Sequence, residues 1–266
     1  MPARHRPLHR VPKHPHVWLW WLGLSQLAVA VLWLRYGWRI GLPTLLVSHA
    51  PVLWATLWPG AWLFGPVLTR IPVADRQVWL TIDDGPSAQT GAVLDLLDAH
   101  DAKATFFLVG ERAAARPEAV QAIVARGHGI GNHSATHPTK WFWALPPWRM
   151  RREIACTQEI LRELTGVAPR WFRAVVGMAN PFVPAALQRE GLACVAWSAR
   201  GFDGAVGDPA RVVARVRRKL APGAIVLAHE GAAHGRNLET LAALLQLLDD
   251  EGYRTVLPEQ IEAAQA

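Results

Sequence analysis

The sequence predicts an α/β domain of parallel strands and crossover helices, closed or nearly closed into a barrel, behind an N-terminal membrane hairpin. Three observations predict it. Strand-like and helix-like segments alternate from Gln77 onward in about seven repeats. Polar residues recur just beyond the strand ends, where α/β barrels gather their chemistry. Two long uncharged runs precede all of this. A doubly wound open sheet is the alternative, although no GxGxxG or GxxxxGK[ST] motif supports a nucleotide-binding version of it.

Composition narrows the class. Of 266 residues, 51% are apolar and 18% charged, which excludes a disordered or fibrous chain. The two cysteines, Cys156 and Cys194, exclude a disulfide scaffold, a Cys-rich metal centre and a CxxC redox pair. The net charge of +7 invites a nucleic-acid reading. Residues 1–74, however, carry seven Lys/Arg and no acidic residue, while residues 75–266 carry 21 of each sign. The excess charge thus sits with eight of the fourteen Trp in the first quarter of the chain, and no nucleic-acid partner is expected.

That first quarter reads as a basic tail (residues 1–16) and a membrane anchor (17–70). Arg4, Arg6, Arg10 and Lys13 mark the tail. Val17 to Leu34 is uncharged and, as a helix, spans roughly 27 Å, about one hydrocarbon core. Arg35 and Arg39 interrupt it. Ile40 to Thr69 is uncharged again, but Pro43, Pro51, Pro59 and Pro66 argue against one regular helix, so a kinked span from about Leu42 to Leu57 is expected, with an interfacial stretch after it. A cleaved signal ending near Ala28-Val29-Ala30 is the alternative; the apolar run continues past that point and a second follows. The expected location is a bacterial-type inner membrane. If both runs span, the Lys/Arg bias places the tail and the C-terminal domain in the cytoplasm; if only the first spans, the domain lies outside.

Residues 75–266 read as one catalytic domain. Val78 to Ile82 is a β-rich run ended by Asp-Asp-Gly-Pro. Ala92 to Ala99 is helical, Ala104 to Val109 a strand, and Pro117 to Arg126 a helix with proline at its start. Gly129 to Asn132 is a short strand. Pro147 to Leu164 is amphipathic, with Ile154, Leu161 and Leu164 on one face. Strands near Arg170–Phe172, Leu192–Trp197 and Ala224–Ala228 follow with helices between, then a helix through Leu238, Leu241, Leu245 and Leu248 and a last strand at Thr255–Leu257.

Five strand ends deliver polar residues: Asp83 and Asp84, His133 and His137, Arg173, Asp203, and His229. Singly each has a bland reading, an Asp-Gly turn, a surface ion pair or a hydrogen-bonded structural His. Together they fit one barrel mouth. Positions i and i+4 of a helical turn share a face, so both imidazoles of His133 and His137 can reach one ion. Two His and a carboxylate suit a hydrolytic metal site, leaving a second carboxylate and a third His as base and acid.

The series Thr81-Ile82-Asp83-Asp84-Gly85-Pro86, His133-Ser134-x-x-His137, Arg173, Trp197 to Asp203, and Leu227-x-His229 resembles the polysaccharide deacetylase family, carbohydrate esterase family four, over residues 77 to 257. The resemblance implies a distorted (β/α) barrel that removes N- or O-acetyl groups from sugars with one divalent metal. It implies Asp84, His133 and His137 as metal ligands, Asp83 as base, His229 as acid, Arg173 as the group holding Asp83, and Leu227 lining the acetyl pocket. Zinc is the expected ion, with cobalt, nickel and manganese as alternatives. Two motifs depart from the family pattern. Arg173-Ala174-Val175-Val176-Gly177 replaces Arg-x-Pro-aromatic-Gly, and Arg200 and Gly204 stand where an Asp and a Trp are usual, leaving Asp203 to tune His229.

The expected activity is a membrane-anchored N-deacetylase acting on a glycan, with Trp141 in the aromatic segment Trp141–Trp148 as a platform for sugar faces. Alternatives are a deacylase or deformylase of a lipid-linked amino sugar, and a catalytically silent glycan-binding homologue.

Overall fold

The computed structural model describes residues 7–265. Arg4 and Arg6 of the expected tail lie outside the described residues. Two helices lead, α1 (Val17–Tyr36) and α2 (Trp38–Leu57), each long and apolar enough to cross a membrane. Gly37 joins them at φ +74°, a conformation that costs a glycine little. The helices run antiparallel, because Gln26 and Ser48, each eleven residues from that turn, share a hydrogen bond of 3.0 Å. Gly41 lies against the Trp33 ring, where a Cβ would sit 2.3 Å from it, so the small residue sets the close approach of the two helices.

The second helix corrects the kinked span expected from Leu42 onward. It begins at Trp38 and stays continuous through Pro43 and Pro51. Hydroxyls supply bonds near the missing amides: Thr44 Oγ1 donates to Ile40 O at 3.0 Å, and Ser48 Oγ to Leu45 O at 2.7 Å.

The remaining elements are β1 (Val67–Leu68), β2 (Gln77–Gly85), α3 (Thr90–Ala99), β3 (Ala104–Leu108), α4 (Gly110–Ala115), α5 (Pro117–Ala125), β4 (Gly129–Asn132), α6 (Pro147–Thr165), β5 (Trp171–Phe172), α7 (Val183–Glu190), β6 (Ala193–Val195), β7 (Ala199–Arg200), α8 (Pro209–Arg217), β8 (Ile225–His229), α9 (Asn237–Asp250), β9 (Arg254–Thr255) and α10 (Pro258–Gln265). All pairings are parallel, in the order β1-β6-β5-β4-β3-β2-β8-β7, with β9 beside the start of β2. Eight strands form the curled half-barrel, and with β9 the described residues hold nine, two more than the sequence count.

The extra strands are β1, inside the stretch 17–70 assigned to the anchor, and β7, just beyond Trp197. Each is two residues long, too short for periodicity to reveal. No strand pairing joins β1 to β7 among the described residues. The seam is pinned at one end, where Ile71 N donates to Gly223 O at 2.9 Å and Arg70 forms an antiparallel bridge to Ala224.

Alternation along β2 sorts the core. Leu80 and Ile82 face outward into one apolar layer with Leu94 and Leu97 of α3 and Leu244 and Leu248 of α9. Trp79 faces inward, where it meets Trp171 edge-on at 5.2 Å and donates to Thr105 Oγ1 at 2.8 Å. Two residues further along that inner face stands Thr81, and two beyond it Asp83. The apolar plug thus lies deep in the half-barrel and the acids lie at its mouth.

The segment before α1 docks on this domain. Leu8 is buried in the cluster of Trp171 and Ile261, and His9 N donates to Glu262 Oε1 at 3.1 Å. Trp18 packs edge-on against Phe64 and Phe182 at the base of the hairpin.

Candidate active site

One cleft of about 250 Å³ at the C-terminal ends of the strands is lined by Asp83, Asp84, His133, His137, Leu227 and His229. Sequence positions as distant as 83 and 229 meet because β2 pairs with β8 in a register that sets Asp83 opposite His229. Leu227 is opposite Thr81 on the same pair. Strand β4 delivers His133 from the next position but one in the sheet.

Asp83 is 3% exposed, and its Oδ1 accepts from Arg173 Nη1 at 2.7 Å. Arg173 is 1% exposed and fully engaged. It also donates to Thr81 Oγ1 at 2.8 Å and to the carbonyl of Ala196 at 3.0 Å, and its guanidinium lies 4.1 Å from the centre of the Phe107 ring. A buried charge is tolerated only with such complete pairing. Asp83 Oδ2 is 3.8 Å from His133 Nε2, so the carboxylate faces the imidazoles while Arg173 fixes its other oxygen.

Asp84, His133 and His137 present one ligand atom each within 4.8 Å of one another. His133 Nδ1 lies 2.9 Å from the Arg173 carbonyl, which can only accept. The Nδ1 proton is therefore committed there, and Nε2 carries the free lone pair a metal needs. Asp84 Oδ1 is 2.9 Å from His137 Nε2 and 3.6 Å from His133 Nε2, yet it is a buried oxygen without a well-aligned hydrogen bond. That orphaned acceptor between two imidazoles is what a divalent cation would satisfy. Burial pushes the Asp84 carboxyl up, but the close approach of His133 and His137 outweighs it and holds the group well below the usual carboxylate range.

The two imidazoles converge by a route that corrects the helical-turn expectation. Residues 133–138 form a loop, with Ser134 at φ +68° and His137 at φ +51°. Asp84 is also in the left-handed region, at φ +71°. Such conformations persist only where surroundings over-determine them. Here Glu153 does so. Its buried carboxylate accepts from the amides of Ala135 and Thr136 at 3.0 and 2.9 Å and from Thr136 Oγ1 at 2.8 Å. Asn132 Oδ1 accepts from Ser134 N at 3.1 Å, and Arg112 Nη1 donates to the Asp84 carbonyl.

Glu153, Asn132 and Arg112 were not singled out from the sequence. The one available signal was Glu153 itself, an acid on the buried face of an otherwise amphipathic helix.

Asp203 and His229 form the other side of the cleft. Asp203 Oδ1 is 2.9 Å from His229 Nδ1, and its Oδ2 accepts from His229 N at 2.6 Å. One carboxylate therefore holds both ring and backbone, despite the Arg at 200. Burial alone would lower the His229 value, but the charge and hydrogen bond of Asp203, with Asp83 and Asp84 behind it, raise it to about 9. The imidazolium is the neutral-pH form, with Nδ1 on Asp203 and Nε2 free to donate. Gly204 backs the ring, since a Cβ there would fall 3.3 Å from it.

Leu227 lines the cleft. Trp141 does not line it. The ring is 65% exposed, and Thr139 is the nearest residue of that segment to reach the cavity. The loop turns outward after Pro138, and Phe142 instead takes the buried position. The altered third motif leaves Val176 on the cleft wall at φ +48° and keeps Gly177, where a Cβ would collide with Trp197.

Comparison with known proteins agrees with this geometry. The polysaccharide deacetylase family profile matches residues 70–195. The chain is 38% identical to a chitooligosaccharide deacetylase of Bradyrhizobium sp. over 162 residues, covering 60% of this chain and 73% of that one. It is 33% identical to a peptidoglycan-N-acetylglucosamine deacetylase of Bacillus cereus over 199 residues, covering 73% and 71%. Its fold superposes with a TM-score of 0.67 on the crystal structure of a peptidoglycan N-acetylglucosamine deacetylase in complex with 4-naphthalen-1-yl-N-oxidanyl-benzamide, at 32% identity over 73% of this chain and 91% of the other.

Proposed function

The chain belongs to the polysaccharide deacetylase family, and from that premise we propose that it is a membrane-anchored, metal-dependent hydrolase removing N-acetyl groups from the N-acetylglucosamine units of a glycan. The observation that carries this reading is the convergence of Asp83, Asp84, His133, His137 and His229 on one cleft. A glycan-binding protein needs neither the buried Asp83–Arg173 pair nor a charged His229 facing it.

Asp84, His133 and His137 would hold the ion, and zinc suits two neutral imidazoles and a carboxylate. Such a cation supplies Lewis acidity toward the acetamide carbonyl and lowers the pKa of a nearby water. Asp83, oriented by Arg173, takes the proton of the attacking water with Oδ2, the oxygen that Arg173 leaves free. His229 donates from Nε2 to the departing amine, and Asp203 stabilises the imidazolium until it does so. Leu227 packs against the acetyl methyl and keeps bulk water from that side.

The anchor reading rests on packing. Removal of the chain up to Ala30 would strip Leu8 and Trp18 from buried positions, so the segment serves as a retained hairpin rather than a cleaved signal. Burying such side chains contributes about 1.5–3 kcal/mol each. The docked segment and the domain then share one face of the membrane, and the Lys/Arg bias makes it the cytoplasmic face.

The test is acetate release from N-acetylated chitooligosaccharides and peptidoglycan fragments by the full-length, zinc-loaded protein in detergent. Turnover that disappears with chelator and returns with zinc supports the reading. No release from any N-acetyl sugar, with metal bound at one equivalent, would overturn it. A reporter fused after Ala266 reads the side of the membrane.

A further inference from the structure

A second cleft, of about 1080 Å³, opens beside the active site at the unpaired seam between β1 and β7. It shares the lining residues Trp197, Arg200 and Phe202 with the active-site cleft, so the two cavities adjoin. Its chemistry is the reverse of its neighbour's. Arg70, Arg200, Arg215, Arg218 and Lys219 line it, and no carboxylate does. Among the described residues none of these five cations forms an ion pair. Arg217, on the same helix end, does pair, with Glu251 at 3.3 Å away from the cleft. Arg200 Nε is buried with no hydrogen-bond partner, although its guanidinium is held 4.0 Å from the Phe202 ring.

Five like charges around one cavity repel one another until an anion joins them. Arginine forks suit the oxygens of phosphate. Trp58, the residue just after α2, also lines the cleft, so the apolar hairpin adjoins it.

We propose that this cleft binds the phosphate or diphosphate of the substrate, and that the sugar deacetylated next door is carried on a lipid whose tail follows the hairpin. The identity of the sugar rests on the deacetylase reading above; the anion site does not. A substrate so held presents its acetamido group to Asp83 and His229 while its charge sits on the arginines and its chain remains in the bilayer.

The experiment uses full-length protein in neutral phosphatidylcholine nanodiscs, with the double variant Arg70→Ala/Arg218→Ala, neither residue belonging to the catalytic cleft. Metal-free protein is first titrated calorimetrically with inorganic diphosphate. Binding that weakens with salt, and that falls at least about tenfold in the variant, is expected. Zinc-loaded protein is then assayed with a polyprenyl-diphosphate-linked N-acetylglucosamine and with a chitooligosaccharide. The variant is expected to lose about tenfold or more in kcat/KM on the first and to stay within about twofold on the second. Equal losses on both, or none on either, overturn the proposal. So does a variant that keeps its diphosphate affinity. A variant that loses only adhesion to phosphatidylglycerol vesicles, with lipid-linked turnover intact, assigns the cleft to bilayer headgroups and also overturns it. If neither sugar is deacetylated while diphosphate binding persists and is lost in the variant, the deacetylase reading fails and the anion site stands.

Discussion

The hairpin and the half-barrel sort their residues in opposite ways. In the hairpin, large apolar side chains point outward: Leu34 is 86% exposed, and Trp20, Leu24 and Leu27 are exposed with it. Two of its polar groups, Gln26 and Ser48, meet between the helices. In the half-barrel, apolar residues fill the layer under the helices while Asp83, Arg173 and Asp203 are buried at the mouth. Exposed leucine is unfavourable in water and natural in hydrocarbon. Buried charge is costly in either medium unless it is paired. The hairpin's outward apolar surface suits hydrocarbon, and the barrel mouth concentrates paired charge.

The largest expected effects come from the mouth. His133→Ala should remove bound metal and abolish acetate release, read by elemental analysis and turnover on one preparation. Full zinc content in that variant would mean the charged mouth serves another end. Asp83→Asn should lower kcat by about 10²–10⁴-fold while metal content stays at the wild-type level.

Arg173→Ala tests how much the pairing matters to stability. It leaves Asp83 buried and alone, and should destabilise the domain by about 3–5 kcal/mol, seen as a lower denaturant midpoint. A neutral result would show that water reaches Asp83 and that this region is less buried than the contrast requires.

The hairpin is tested by reversing its pattern. Leu27→Asp puts a charge on an outward position near the helix centre, at about 2.5–3.5 kcal/mol for membrane insertion. The variant should leave the membrane fraction or be degraded. Unchanged membrane association would break the comparison at its other end.

The smallest effect is a shift in pH dependence. His229 stands at about 9, above the ordinary 6.5. It is protonated below that value, so the acid is present at neutral pH and is lost as pH rises through about 9; kcat/KM should fall on that limb. Asp203→Asn removes the largest raising influence while burial continues to lower the value. The limb should then move toward pH 6.5 or below, with little change on the acidic side. A limb still near pH 9 would mean that Asp83 and Asp84, not Asp203, hold the imidazolium.

Particular elements show how far the sequence could be read. Strands β2, β3, β4 and β8 were legible because each joins a β-rich run to a turn or polar end. Strands β1 and β7 were not, because two residues carry no period. Helix α2 hid behind Pro43 and Pro51, since a proline rule made for water does not carry over to a long apolar helix. The site residues were legible as polar outliers at strand ends. Trp141 stands exposed outside the cleft lining, because an aromatic close to His133 and His137 in sequence need not face them once the loop turns outward.

By itself the sequence determined the apolar hairpin, the alternation of strand and helix, and the acids, imidazoles and arginine that carry the resemblance to the family. These are local properties, written in period, spacing and residue type. Only the tertiary structure decided the geometry of these pairs, with Arg173 on one oxygen of Asp83 and Asp203 on both the ring and the amide of His229. It alone decided that Glu153 braces the histidine loop and that five cations from three distant segments ring one cleft beside the hairpin. Those facts depend on strand order, register and curl. They come from packing across the whole chain, which no window of neighbouring residues contains.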